Sequence, residues 1–193
     1  SNQWPEWLVH DQRFVDHRPD VLGFATPPLE DDLTVAGDVL AELYASTTGG
    51  DADWIVKLID VYPEGEPPPR PAPAPGAAEA PPAPPDLRGY QLMVASKVLR
   101  ARFRDGFDRP APVPAGRVLK YAIDLQGHAH TFRKGHRVMV QVQSSWFPLI
   151  DRNPQRYVEN IFRATEADFV AATHRVGRSR EAPSALVLPV LSR

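Results

Sequence analysis

His128, His130 and His136 fall within one short stretch, GHAHTFRKGHR (127–137). In extended backbone, side chains at i and i+2 point to the same side, so His128 and His130 could share a metal ion, with His136 arriving across a turn. The company they keep argues against it. No carboxylate lies between them, and Arg133, Lys134 and Arg137 would repel a cation. The plainer reading is a turn at Lys134-Gly135 linking two strands, with the imidazoles in polar supporting roles. Glu30, Asp31 and Asp32 form a second cluster, but calcium needs six or more oxygens and three side chains fall short. The expectation is no metal and no cofactor. Cysteine is absent, which removes disulfides, zinc thiolates and thiol catalysis. The sequence also lacks G-x-S-x-G, G-x-x-x-x-G-K-[ST], H-E-x-x-H and the dinucleotide glycine fingerprint. No catalytic residue is therefore assigned to this chain.

Recognition chemistry, by contrast, is offered by GHRVMVQVQSSWFPLIDRNPQ (135–155). Val138, Val140 and Val142 alternate with Arg137, Met139, Gln141 and Gln143, the period of a strand with one apolar face. The alternation stops at Ser144-Ser145-Trp146-Phe147-Pro148, followed by Asp151-Arg152-Asn153-Pro154. Pro148 and Pro154 limit the freedom of this loop and lower the entropy cost of holding it in one shape. Arg152 is placed to pair with Asp151 or another carboxylate and to donate to loop carbonyls. Trp146 and Phe147 supply apolar area for an interface or a ligand pocket. The remaining tryptophans read as core (Trp54) and as packing surface near the N-terminus (Trp4 and Trp7). An alternative is that exposed aromatics form a sugar-stacking platform.

These residues need a frame, and the frame reads as short strands. DLTVAGDV (32–39) and VLAELYAST (39–47) are separated by Gly37-Asp38, a plausible turn or bend. DWIVKLIDVYP (53–63) is apolar on both faces, with Lys57 and Asp60 as polar exceptions, and reads as a central covered strand. YQLMVASKVLRARFR (90–104) is ambiguous between a bulged strand and a short helix, with strand favoured for its first half. RVLKYAIDL (117–125) alternates, and SALVLPVL (184–191) closes the set, Pro189 placing it at an edge or a strand end. One helix is expected at 166–176, with Phe169, Ala172 and Val176 on one side and Thr165 as N-cap. The predicted fold class is all-β, a jelly-roll sandwich with one or two short helices. Residues 63–86 hold 11 of the 22 prolines and read as a Pro/Ala-rich, polyproline-like loop insertion.

Composition bounds the partners. With 193 residues and 42% apolar content the chain has material for one sizeable core, so residues 1–193 are expected to form a single domain. A net charge of −2 and a pI near 6.3 give no electrostatic case for nucleic acid or an anionic membrane. No apolar run approaches the roughly 18–20 residues of a membrane span. The start SNQWPEWLVH shows no basic segment followed by an apolar one, and it reads as the cut edge of a longer protein.

GHRVMVQVQSSWFPLIDRNPQ, preceded by HTFRKGHR and by ASTTGGDADWIVKLIDVYPEG, resembles the C-terminal domain of the α-amino acid ester hydrolases. These belong to the wider cocaine-esterase/NonD and X-Pro dipeptidyl-peptidase group of serine hydrolases. The resemblance runs from about Trp4 to Pro189, and the Pro/Ala-rich stretch at 67–85 departs from it. It implies a galactose-binding-domain-like jelly roll that follows an α/β-hydrolase domain and packs on it. The nucleophilic Ser, the Asp and the His of that group belong to the preceding part, so none is carried onto a residue here. The resemblance also implies a homo-oligomeric parent exported to the bacterial periplasm or beyond. In that setting the loop at 144–157, with Ser144, Ser145, Trp146, Phe147, Pro148, Asp151, Arg152 and Asn153, is the segment expected to face the catalytic domain.

Overall fold

The computed structural model describes residues 9–65 and 85–192. The expectations for Trp4 and Trp7, and for most of the Pro/Ala-rich stretch 63–86, lie outside these residues. Strands β1 (Val21–Ala25), β2 (Leu33–Thr47), β3 (Asp53–Val61), β4 (Gln91–Arg100), β5 (Leu119–Phe132), β6 (Arg137–Gln143), β7 (His174–Val176) and β8 (Ala185–Val187) form two antiparallel sheets. One sheet runs β1-β6-β3-β4; in the other, β2 pairs with β5 along one side and with β7 and β8 along the opposite side. The result is an all-β sandwich of the kind expected.

Strand β3 shows why the sequence folds this way. Trp54, Val56 and Leu58 point into the space between the sheets, where they join Leu43, Tyr121, Ile123 and Leu125 of the facing sheet. Ile55 and Ile59 are equally buried on the opposite face, so the continuous apolar run is covered twice. That second face is covered in part by residues 9–20, which carry a short 3-10 turn at Gln12–Val15 with Gln12 and Val15 buried. Burying each such aliphatic side chain contributes about 1.5–3 kcal/mol.

Two expectations change in the folded chain and one ambiguity is settled. Gly37-Asp38 is not a turn: β2 is one strand whose two halves pair with the same partner, β5, across a register shift between Asp38 and Leu40. Gly37 sits there at φ +133°, a backbone setting open mainly to glycine, so the dipeptide makes a bulge. The ambiguity at 90–104 resolves into β4 followed by a 3-10 turn at Ala101–Phe103. No helix spans 166–176. Asp168 accepts hydrogen bonds from the Thr165 backbone N–H and hydroxyl, which closes a 3-10 turn at Glu166–Asp168, and the chain then leaves extended. Thr48 and Thr173 exchange hydrogen bonds, and β7 pairs with Ala45–Thr47. Strand pairing at the edge of β2 outweighs the weak helical periodicity of this segment.

Candidate functional site: the loop after strand β6

Strand β6 delivers the loop at the end of the sandwich, and each loop side chain has a distinct setting. Trp146 is buried at 8% exposure, and the Lys57 ammonium lies 4.3 Å from its ring centroid. Phe147, joined to Pro148 by a cis peptide bond, is 64% exposed. Ser144 and Ser145 are half-buried, while Pro148, Asp151 and Arg152 face outward. The Arg152 guanidinium lies between two phenyl rings, 5.9 Å from the Phe147 centroid and 5.3 Å from that of Phe169. It makes no ion pair with Asp151, and its contacts are with the two rings.

The loop is held by Asn153 and by two arginine-aspartate pairs from the adjoining strand ends. Asn153 Nδ2 donates to Asp53 Oδ1 at 2.9 Å, and the Asn153 side-chain oxygen accepts the Gln155 N–H at 2.8 Å. Asp53 also takes Arg100 through both carboxylate oxygens, at 2.9 and 3.1 Å, and Arg100 donates on to the Asp151 carbonyl at 3.3 Å. Burial pushes the Asp53 carboxyl above its ordinary pKa, while hydrogen bonds from Arg100 and Asn153 pull the other way. One step along, Arg102 Nε donates to the fully buried Asp51 at 2.7 Å, and its Nη1 reaches the Val158 carbonyl at 2.8 Å. The Gln155 carbonyl accepts the Gly50 N–H at 2.9 Å. A Cβ on Gly49 would sit 2.3 Å from that same carbonyl oxygen, so only glycine lets the two segments approach.

The sequence reading assigns no role to Gly49, Asp51, Asp53, Arg100 or Arg102, the first three standing there within the ASTTGGDADW stretch that carries the resemblance. A signal was present. Asp51/Asp53 and Arg100/Arg102 repeat the same i, i+2 spacing, and Asp53 and Arg100 are directly opposed in the β3-β4 ladder. The T-T-G-G-D-A-D-W and D-R-N-P motifs are two halves of one clamp.

The histidines do not converge as a metal set. His128 Nε2 lies 2.8 Å from the Leu125 carbonyl, away from the other two. His130 Nε2 and His136 Nδ1 each direct a ring N–H onto the buried Asp60 carboxylate, at 2.9 and 2.8 Å. A carboxylate absent from their sequence neighbourhood is supplied by β3, and it stitches the two sheets together. Among the described residues no group of three or more His, Asp or Glu side chains is arranged to hold a metal ion. No helix among them is long and apolar enough to cross a membrane.

The sandwich, the clamped loop and the missing nucleophile motifs agree with a sequence comparison. Residues 4–187 match the family described as the X-Pro dipeptidyl-peptidase C-terminal non-catalytic domain. The chain belongs to that family. This X-Pro dipeptidyl-peptidase C-terminal domain is 33% identical over 183 residues to the cocaine esterase of Rhodococcus sp. (strain MB1 Bresler), covering 95% of this chain and 28% of that protein. It superposes on an aminopeptidase from a marine sediment archaeon, Thaumarchaeota archaeon, with a TM-score of 0.86 and 46% identity, over 100% of this chain and 29% of the other. An α-amino acid ester hydrolase gives a TM-score of 0.85 and 49% identity, over 98% and 28% of the two chains. The domain thus spans less than a third of the relatives it matches. A free-standing carbohydrate-binding module is not favoured: Trp54 is buried, and Trp146 presents its ring to Lys57 instead of to solvent.

Proposed function

We propose that this domain serves a serine hydrolase as a docking and shaping element, packing on an upstream α/β-hydrolase domain through the loop at 144–157. The observation that carries the reading is the contrast inside that loop. Its backbone is fixed to β3, β4 and the turn after β4 through Asn153, Asp53, Arg100 and Arg102, while Phe147 and Arg152 stand exposed at the surface beside the partly covered Phe169. A rigid loop with an exposed aromatic-arginine cluster loses little conformational entropy on binding and carries residue types enriched at protein interfaces. The acyl transfer itself belongs to the upstream part, through its own Ser nucleophile. The domain supplies a wall, not a reacting group.

The test is hydrolysis of p-nitrophenyl acetate and of a phenylglycine methyl ester by this chain and by the full-length parent. Turnover by the parent and none by the chain supports the reading. Turnover by the chain alone, abolished by a serine-directed phosphonate, overturns it. A Phe147→Ser, Arg152→Ser double variant of the full-length protein then probes the docking role, which predicts weaker association of the two domains after limited proteolysis between them.

A further inference from the structure

The two long sides of the sandwich are not equally closed. Along one side β4 lies against β5. Along the other, the edge strand β1 faces the short strands β7 and β8, leaving a cleft of about 360 Å³. Phe24 and Leu186 wall this cleft from opposite sheets, and Ala41, Val140 and Val142 form its floor. Its size and apolar lining fall within the range of small-molecule sites.

Polar groups at the cleft decide what it would accept. Glu42 is engaged by Lys120, whose Nζ lies 2.6 Å from its carboxylate. The Ser184 hydroxyl accepts the Tyr44 N–H at 2.9 Å and donates to the Tyr44 carbonyl at 3.3 Å. Arg178 is different. Its guanidinium lies at the mouth, 5.5 Å from the Phe24 ring centroid, and no carboxylate among the described residues is within ion-pair distance of it. A backbone bridge between Arg178 and Pro183 holds the segment that presents it. An apolar slot ending at one unneutralised guanidinium complements a molecule with an apolar body and a terminal carboxylate. The body leaves water, and the carboxylate takes the paired N–H groups of arginine.

We propose that this cleft is a binding site for a small apolar monocarboxylate of alkyl or aryl type. The test uses the 193-residue chain, ¹⁵N-labelled, titrated with hexanoate and with 1-hexanol as a neutral probe of matched length. The expected result is saturable amide shifts at Phe24, Val140 and Leu186, with hexanoate bound about tenfold more tightly than hexanol. Arg178→Gln should remove that preference and leave hexanol binding unchanged; Ala41→Leu, which fills the slot, should abolish both. Arg178 is exposed, so its variant folds even if the filled core does not. Absence of saturable shifts with hexanoate, equal binding of acid and alcohol, or a preference that survives Arg178→Gln would each overturn the proposal.

Discussion

Replacing Lys57 by methionine should stabilise this domain at neutral pH. Lys57 is fully buried on the outer face of β3; its Nζ donates to Gln12 Oε1 at 2.7 Å and faces the Trp146 ring. No carboxylate among the described residues lies within ion-pair distance of this ammonium. Burial, with a smaller repulsion from Arg18, lowers its pKa from 10.5 to about 8. A lysine held below its unfolded value resists charging in the folded state. Below pH 8 both states hold the proton, and the folded state carries the whole penalty. Between about pH 8 and 10.5 the unfolded chain keeps the proton and the folded chain loses it, so this group makes stability rise with pH. The full gap corresponds to about 3 kcal/mol. Losing the hydrogen bond and the cation-ring contact gives back about 1–2 kcal/mol, leaving Lys57→Met more stable than wild type by about 1–2 kcal/mol at pH 7. Urea unfolding at pH 7, 8, 9 and 10 measures this, and the advantage should shrink as pH rises. Tyr62, Tyr90 and Tyr121, which burial holds above the usual tyrosine range, act alike in both proteins and cancel in the difference. A methionine variant that is less stable at pH 7, by an amount independent of pH, would refute the reasoning.

The clamp gives three further predictions. Gly49→Ala forces a methyl group against the Gln155 carbonyl and should cost about 2 kcal/mol or more, seen as a lower urea midpoint with faster amide exchange in residues 153–157. Asp51→Ala leaves Arg102 buried without its partner and should cost about 3–5 kcal/mol, whereas the double change Asp51→Leu, Arg102→Met should recover much of that loss in the same assay. Phe147→Ser touches an exposed ring and should alter the stability of the isolated domain by less than about 0.5 kcal/mol, while weakening binding to a separately produced hydrolase domain in calorimetry.

Alternation made β6 legible in the sequence and a continuous apolar run made β3 legible, because burial on one face imposes a period of two and burial on both faces removes it. Strand β1 was missed, since Gly23 interrupts a five-residue run at the sheet edge. The break expected at Gly37 failed for a related reason: a glycine signals an unusual φ, but a turn and a bulge satisfy that signal equally well, and only the partner strand decides between them. The helix expected at 166–176 rested on three apolar positions, too few to resist pairing with β2. At the loop, the residue types were readable and the connections were not. Asn153, Asp53 and Arg100 are far apart in the chain, and Arg152, the most conspicuous charge, lies on the surface between two rings while the quieter Asn153 makes the buried bond. Long-range partners of this sort leave a trace in sequence only when their spacings match, as the paired Asp51/Asp53 and Arg100/Arg102 do.

Strand β2 bears on biosynthesis. One of its sides is met by β5, but the other is met by β7, β8 and Val190, which lie well over a hundred residues further along. A ribosome therefore releases β2 long before the segments that complete that edge have been made. Until residues 174–190 emerge, a strand of 15 residues offers unpaired backbone groups to any neighbour able to add to it. Synthesis of the whole segment, and not of the first sheet alone, is what ends this exposure.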